Sequence, residues 1–114
     1  MKESTIYQQK KDKMLKLHGI HIPIDKIAVF CRTHGIKRLA LFGSILRDDF
    51  REDSDIDILI EFCPDVQVGL AFFGMQEELS NIFEHSVDLN TPGFLSRYFR
   101  NEILSEAEDL YVAA

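Results

Sequence analysis

The chain has 114 residues, of which 19 are acidic and 13 basic, for a formal net charge of −6. That length fits one small domain and leaves no room for a second substrate-binding domain of ordinary size, so a macromolecular substrate is expected to be held on the surface. The acidic balance excludes general coating of nucleic acid, which depends on many Lys and Arg neutralising phosphates, and suits a basic protein partner instead.

With 46% hydrophobic residues and nine Phe, the composition is that of a globular protein with a real core. No apolar run reaches the roughly 18 residues needed to span a membrane. The polar start MKESTIYQQKKDKMLK also lacks the apolar segment of a secretory signal, so a cytoplasmic protein is expected. Cys31 and Cys63 lack the paired spacing of a zinc or redox site and are expected to act as small apolar residues.

In chain order, residues 1–20 are Lys-rich and polar with weak helical periodicity, ending at His18-Gly19. They read as a tail or frayed helix ahead of a domain over residues 21–114. Pro23 fits a first helical turn, and Ile24, Ile27, Ala28 and Cys31 recur at helical spacing up to His34-Gly35, which predicts a helix over residues 23–34. The apolar run from Ile36 to Phe42 stops at Gly43-Ser44 and predicts a strand. Ser44 is then placed to cap a short helix through Arg47 and Phe50. After the polar turn Arg51-Glu52-Asp53-Ser54, residues 55–62 begin with alternating polar and apolar side chains, the period of a strand.

Pro64 and Asp65 close that strand, and Val68, Phe72, Met75, Leu79 and Ile82 follow at the steps of an amphipathic helix. Ser86 to Asn90 predicts a third strand, stopped by Thr91-Pro92-Gly93, and Phe94 to Tyr111 carry a helical pattern. The order implies an α/β (α+β) domain: a small mixed sheet of three to four strands flanked by helices.

The segment that carries chemistry is Leu41-Phe42-Gly43-Ser44, then ten residues, then Asp55-Ile56-Asp57. A strand that ends in Gly-Ser and turns into a helix gathers backbone N–H groups, a hydroxyl and the positive end of a helix dipole at one point, which makes an anion site. Gly43 lets a phosphate approach the backbone. Asp55 and Asp57, two apart in a strand, project from one face while Ile56 and Ile58 project from the other. Two such charges require a cation, and oxygen-only ligands suit magnesium shared with a triphosphate. Asp88, in Val87-Asp88-Leu89, is a third carboxylate that can bridge a second metal or accept a proton from an attacking hydroxyl. Gly-Ser alone is a common turn and Asp-Ile-Asp alone a common solvated edge. Four such residues at fixed positions coincide by chance on the order of once in 10^4 to 10^5 positions.

This signature resembles that of the DNA polymerase beta-like nucleotidyltransferase superfamily, and most of all its minimal nucleotidyltransferases, over about Val29 to Tyr111. The resemblance implies that Ser44 and nearby backbone hold the triphosphate of ATP. It also implies that Asp55 and Asp57 bind magnesium, two ions in all, and that Asp88 completes the site. Arg47 matches an arginine three residues after the serine that can meet phosphate. The glycine often found next is Asp48 here, which alters local turn geometry.

The implied reaction is transfer of AMP to a hydroxyl with release of pyrophosphate. Minimal nucleotidyltransferases of this size resemble the antitoxin of a toxin–antitoxin pair whose partner is a HEPN-type ribonuclease, held as a hetero-oligomer and modified on a tyrosine. Two alternatives stand beside this reading: a non-catalytic antitoxin that binds and occludes its partner, and a small-molecule (aminoglycoside-like) nucleotidyltransferase. His18, His21, His34 and His85 lack paired ligand spacing and are given no role. Phe72, Phe73 and Met75 read as core, and Arg97 and Arg100 as a solvated face.

Overall fold

A tight turn opens the described chain. Leu15–Leu17 (β1) and Ile20–Ile22 (β2) pair antiparallel, and both residues between them have positive φ, 52° at His18 and 80° at Gly19. Positive φ at both central positions is what lets a two-residue hairpin turn follow the twist of its strands. The computed structural model describes residues 15–66 and 68–113, so the tail or frayed helix expected at residues 1–20 lies, for residues 1–14, outside the described residues. From residue 15 the structure has a hairpin in its place. Alternation sends Leu15 and Ile22 into the core, each 1% exposed, in strands of three residues that are too short for sequence periodicity to register.

Helix α1 runs Ile24–His34, and Gly35, in the left-handed region at φ 66°, ends it by donating its N–H to the Cys31 carbonyl. This is the stop that His34-Gly35 predicted. Strand β3 (Ile36–Phe42) follows, then a single 3-10 turn over Gly43–Leu46, strand β4 (Ile56–Phe62), helix α2 (Ala71–Phe83) and strand β5 (Val87–Asn90). A second 3-10 turn, Pro92–Phe94, leads to helix α3 (Arg100–Glu106) and strand β6 (Glu108–Val112). The main sheet has the order β5-β4-β3-β6. β3 is antiparallel to both β4 and β6, and β4 is parallel to β5 through the α2 crossover. The expected mixed sheet is present with four strands.

One apolar cluster joins this sheet to its helices. Ile56, Ile58 and Ile60 of β4, Leu39 and Leu41 of β3 and Leu89 of β5 meet Ile27, Phe30 and Cys31 of α1 and Met75, Leu79 and Phe83 of α2. Cys31 is thus the buried apolar residue expected of it, and burial pushes its thiol up to about 12. On β4, strand alternation turns Asp57, Leu59 and Glu61 to the opposite face. Among the described residues no helix is long and apolar enough to cross a membrane.

The C-terminal region departs from the helix expected over residues 94–111. Phe94, Tyr98 and Phe99 are exposed, so the apolar spacing there buries no helical face. Only residues 100–106 are helical, Ala107 turns extended, and the chain enters β6. Without β6 the edge of β3 would carry unpaired N–H and C=O groups, and pairing it overrides the local helical pattern. Arg38 fastens the result across three strands: Nε donates to Asp109 Oδ1 on β6 and Nη1 to Glu61 Oε2 on β4 at 3.1 Å. Leu110 is 5% exposed in the core cluster. Leu110→Ala is therefore expected to lower unfolding free energy by about 2–4 kcal/mol in urea titration, whereas a solvated helical end would leave it within about 0.5 kcal/mol.

Candidate active site

The sheet order decides which residues meet. β4 lies between β3 and β5, so the C-terminal end of β3 and the N-terminal ends of β4 and β5 share one end of the sheet. Phe42 pairs with Asp57 in the β3–β4 register, and Asp57 pairs with Asp88 in the β4–β5 register. Gly43, one step beyond Phe42, has φ 76°. A Cβ built there would overlap the Asp57 carboxylate at Oδ2. The glycine is needed twice, once for a left-handed backbone and once to make room for Asp57. The space a side chain would take at Gly43 is filled by the Asp57 carboxylate.

Ser44 sits in the 3-10 turn Gly43–Leu46, and the turn differs from the short helix expected through Arg47 and Phe50. Phe42 holds the N-cap position with no side-chain cap hydrogen bond, and Arg47 is already extended. Ser44 does not cap it. A single four-residue turn also accumulates little macrodipole, so an anion at this point would rely on backbone N–H groups and the Ser44 hydroxyl.

Asp55 precedes β4 by one residue and is exposed, Asp57 is partly buried within it, and Asp88 is exposed on β5. Burial, then the charge of Asp88, then that of Asp55 raise the Asp57 carboxyl from 3.8 to about 6, with hydrogen bonding to Asp88 adding to the rise and Arg47 opposing it. The three acids and Arg47 thus share one electrostatic neighbourhood. Arg47 itself is exposed, with Nε 3.4 Å from Asp49 Oδ1. Among the described residues, no group of three or more His, Cys, Asp or Glu is drawn together as a set able to hold a metal ion.

Three residues whose sequence spacing indicates no role, His18, Phe50 and His85, lie against this end of the sheet. His18 Nε2 bonds Ile45 O at 3.0 Å and His85 Nε2 bonds Ser54 O at 2.6 Å, across 27 and 31 positions. Phe50 sits between the two rings, with centroids 5.0 Å from His18 and 5.5 Å from His85. No spacing rule could reveal contacts of that range. Gln76 and Ser80 of α2 accept the N–H groups of Leu89 and Val87, which pins the helix to the strand that carries Asp88.

Residues 24–110 match the nucleotidyltransferase domain family. The chain is 35% identical over 85 residues, 75% of its own length and 90% of the relative's, to a Methanocaldococcus jannaschii protein provisionally named a protein adenylyltransferase. A solved structure provisionally described as a minimal nucleotidyltransferase matches with TM-score 0.63 and 29% identity, covering 75% of this chain and 86% of that one. A complex of tri-AMPylated Shewanella oneidensis HEPN toxin with a minimal nucleotidyltransferase antitoxin matches with TM-score 0.57 and 21% identity over 79% of this chain and 70% of that one, a likeness of fold.

Two measurements test the geometry. Gly43→Ala forces a side chain into a left-handed backbone at roughly 1–2 kcal/mol and against Asp57. In an Asp57→Ala background the same change is expected to cost about 1 kcal/mol less, because only the overlap is relieved. Urea unfolding of the four proteins checks it. The folded state holds the Asp57 proton to about pH 6 against 3.8 for an ordinary carboxyl, so its contribution to stability falls as pH rises through that window. In chelator-treated buffer, Asp57→Asn is expected to be more stable than wild type at pH 7 by about 1–2 kcal/mol, after discounting for solvent screening, with the difference vanishing near pH 3.5.

Proposed function

The chain belongs to the nucleotidyltransferase domain family, and from that premise we propose that it transfers AMP from ATP to a hydroxyl of a partner protein. The acceptor is a tyrosine of a HEPN-type ribonuclease toxin, bound as a hetero-oligomer, and the chain acts as its antitoxin in the cytoplasm. The observation that carries the reading is the convergence of Gly43, Asp57 and Asp88 at one end of the sheet, with the charges of Asp55 and Arg47 acting on Asp57. Support for a protein acceptor comes from the name of the Methanocaldococcus jannaschii relative and from the AMP-bearing toxin in the Shewanella oneidensis complex. The net charge of −6 favours a partner with a basic face.

Carboxylate oxygens are the donors a hard divalent cation such as magnesium prefers. Such an ion would offset the charges that Asp88 and Asp55 exert on the partly buried Asp57, drawing together acids that do not form a ligand set without it. Asp55, Asp57 and Asp88 would hold two ions, which when bound neutralise charge on the triphosphate. The Ser44 hydroxyl and the N–H groups of the Gly43–Leu46 turn hold the terminal phosphates, and Arg47 adds a guanidinium to them. Asp88 takes the proton from the acceptor hydroxyl. The hydroxyl oxygen bonds to the α-phosphorus as the bond to the α–β bridging oxygen breaks. Pyrophosphate leaves, and AMP stays on the acceptor.

Incubation of the purified chain with ATP, magnesium and a HEPN-type partner, followed by intact mass measurement, is expected to add AMP to the partner. Asp55→Ala and Asp57→Ala are each expected to slow that addition by about 100-fold or more. A stable complex with an unmodified partner would instead assign inhibition to occlusion.

A further inference from the structure

Of the three acids, Asp55 alone lies outside a strand, yet the peptides on both sides of it are held. His85 Nε2 meets Ser54 O at 2.6 Å, and Ile56 N donates to Ser86 O at 2.9 Å. A carbonyl only accepts, so His85 carries a proton on Nε2 and donates it. Two consecutive residues of the turn entering β5 thus clamp the chain before and after Asp55, and the same turn leads directly to Asp88.

The His85 ring leans on Phe50 at 5.5 Å and 40°, and Phe50 stacks on His18 at 5.0 Å and 28°. His18 Nε2 in turn donates to Ile45 O at 3.0 Å, next to Ser44. Three rings therefore run from the carbonyl beside Asp55 to the carbonyl beside Ser44, bridging the ten-residue loop that separates the two halves of the motif. None of the three residues is buried; they side a cleft of about 470 Å³ with the β1–β2 turn and Arg51. Filling a core does not call for histidine at either end. What the imidazoles add to a plain ring is a donor aimed at a backbone carbonyl.

We propose that His85 is a positioning residue: through its bond to Ser54 O it sets the place of Asp55 relative to Asp88, and the stack on Phe50 and His18 holds it there. The proposal rests on the nucleotidyltransferase reading of the site. Two substitutions separate its parts. His85→Phe keeps a ring against Phe50 and removes the donor, whereas His85→Gln keeps an N–H at the Nε2 position and removes the ring.

The test is Mn²⁺ binding to the full chain in the presence of AMP-PNP, followed by electron paramagnetic resonance, with thermal melting as a check on folding. His85→Phe is expected to melt close to wild type and to bind Mn²⁺ about tenfold more weakly, the scale of losses at groups that orient metal ligands. His85→Gln is expected to stay within about twofold of wild type. Equal affinity of wild type and His85→Phe, or a loss in His85→Gln as large as in His85→Phe, would overturn the proposal. Should His85→Phe not fold, Phe50→Leu decides: it leaves both donors in place and loosens the stack, so about threefold weaker binding is expected and unchanged binding refutes it. A wild-type chain that binds neither Mn²⁺ nor AMP-PNP would remove the nucleotidyltransferase reading itself, and this proposal with it. Wild-type binding with an unaffected His85→Phe removes only the positioning role.

Discussion

Two aspartates face each other across the parallel β4–β5 ladder, and apolar contacts on the far side of the same strands hold them there against their repulsion. Ile56, Ile58 and Ile60 are fully buried, and Val87 and Leu89 flank Asp88 at 5% exposure. A slip of one residue would send Asp57 into that core and three isoleucines out of it. Burial of each such side chain contributes roughly 1.5–3 kcal/mol, and the three isoleucines together outweigh the roughly 1–4 kcal/mol of repulsion between two partly solvated carboxylates. The register is therefore fixed by the apolar side chains, and the acids take the positions it leaves. Burial first, and then this repulsion, raise the Asp57 carboxyl, and a bound cation would relieve the repulsion.

The order of strands explains why the motif is split in sequence. Asp57 needs a neighbour on each side: the end of β3 brings Gly43, and β5 brings Asp88. A parallel β4–β5 pair needs a crossover, which α2 supplies, so the third acid must come late in the chain. β6 then covers the outer edge of β3, with Arg38 spanning Asp109 and Glu61. That ion-paired strip runs across β4, β3 and β6 on the far side of Phe42 from the site, and leaves the motif end of the sheet to the carboxylates.

Much of this arrangement was legible in the sequence, because it depends on short-range patterns. The run Ile36 to Phe42, the alternation after Asp55 and the stop at Gly35 each give a local signal, and all three lie where expected. The β1–β2 hairpin and β6 were not legible, for the same reason at both ends of the described chain. Their strands are short, and their stability comes from partners distant in sequence, as in the pairing of Leu41 with Glu108. At the sheet end, the strand positions that bring Gly43, Asp57 and Asp88 together follow from local patterns, whereas the contacts around them do not. Nothing local marks Gly43 as the seat of an aspartate, or links His85 to Ser54 and His18 to Ile45.

The exposures of the three acids bear on what the site can accept. Asp57 is partly buried, while Asp55 and Asp88 are exposed, so the carboxylates line an open end of the sheet. Pockets for small ligands enclose most of the ligand surface with largely apolar walls, whereas Asp55 and Asp88 present exposed carboxylates. Charge stabilisation in transfer chemistry gains strength when water is excluded. On the proposed function, a folded acceptor whose surface closes over Asp55 and Asp88 would supply that exclusion. The exposure of Asp55 and Asp88 is thus a feature that a protein acceptor would complete, and on the proposed function the acceptor's surface becomes part of the catalytic environment.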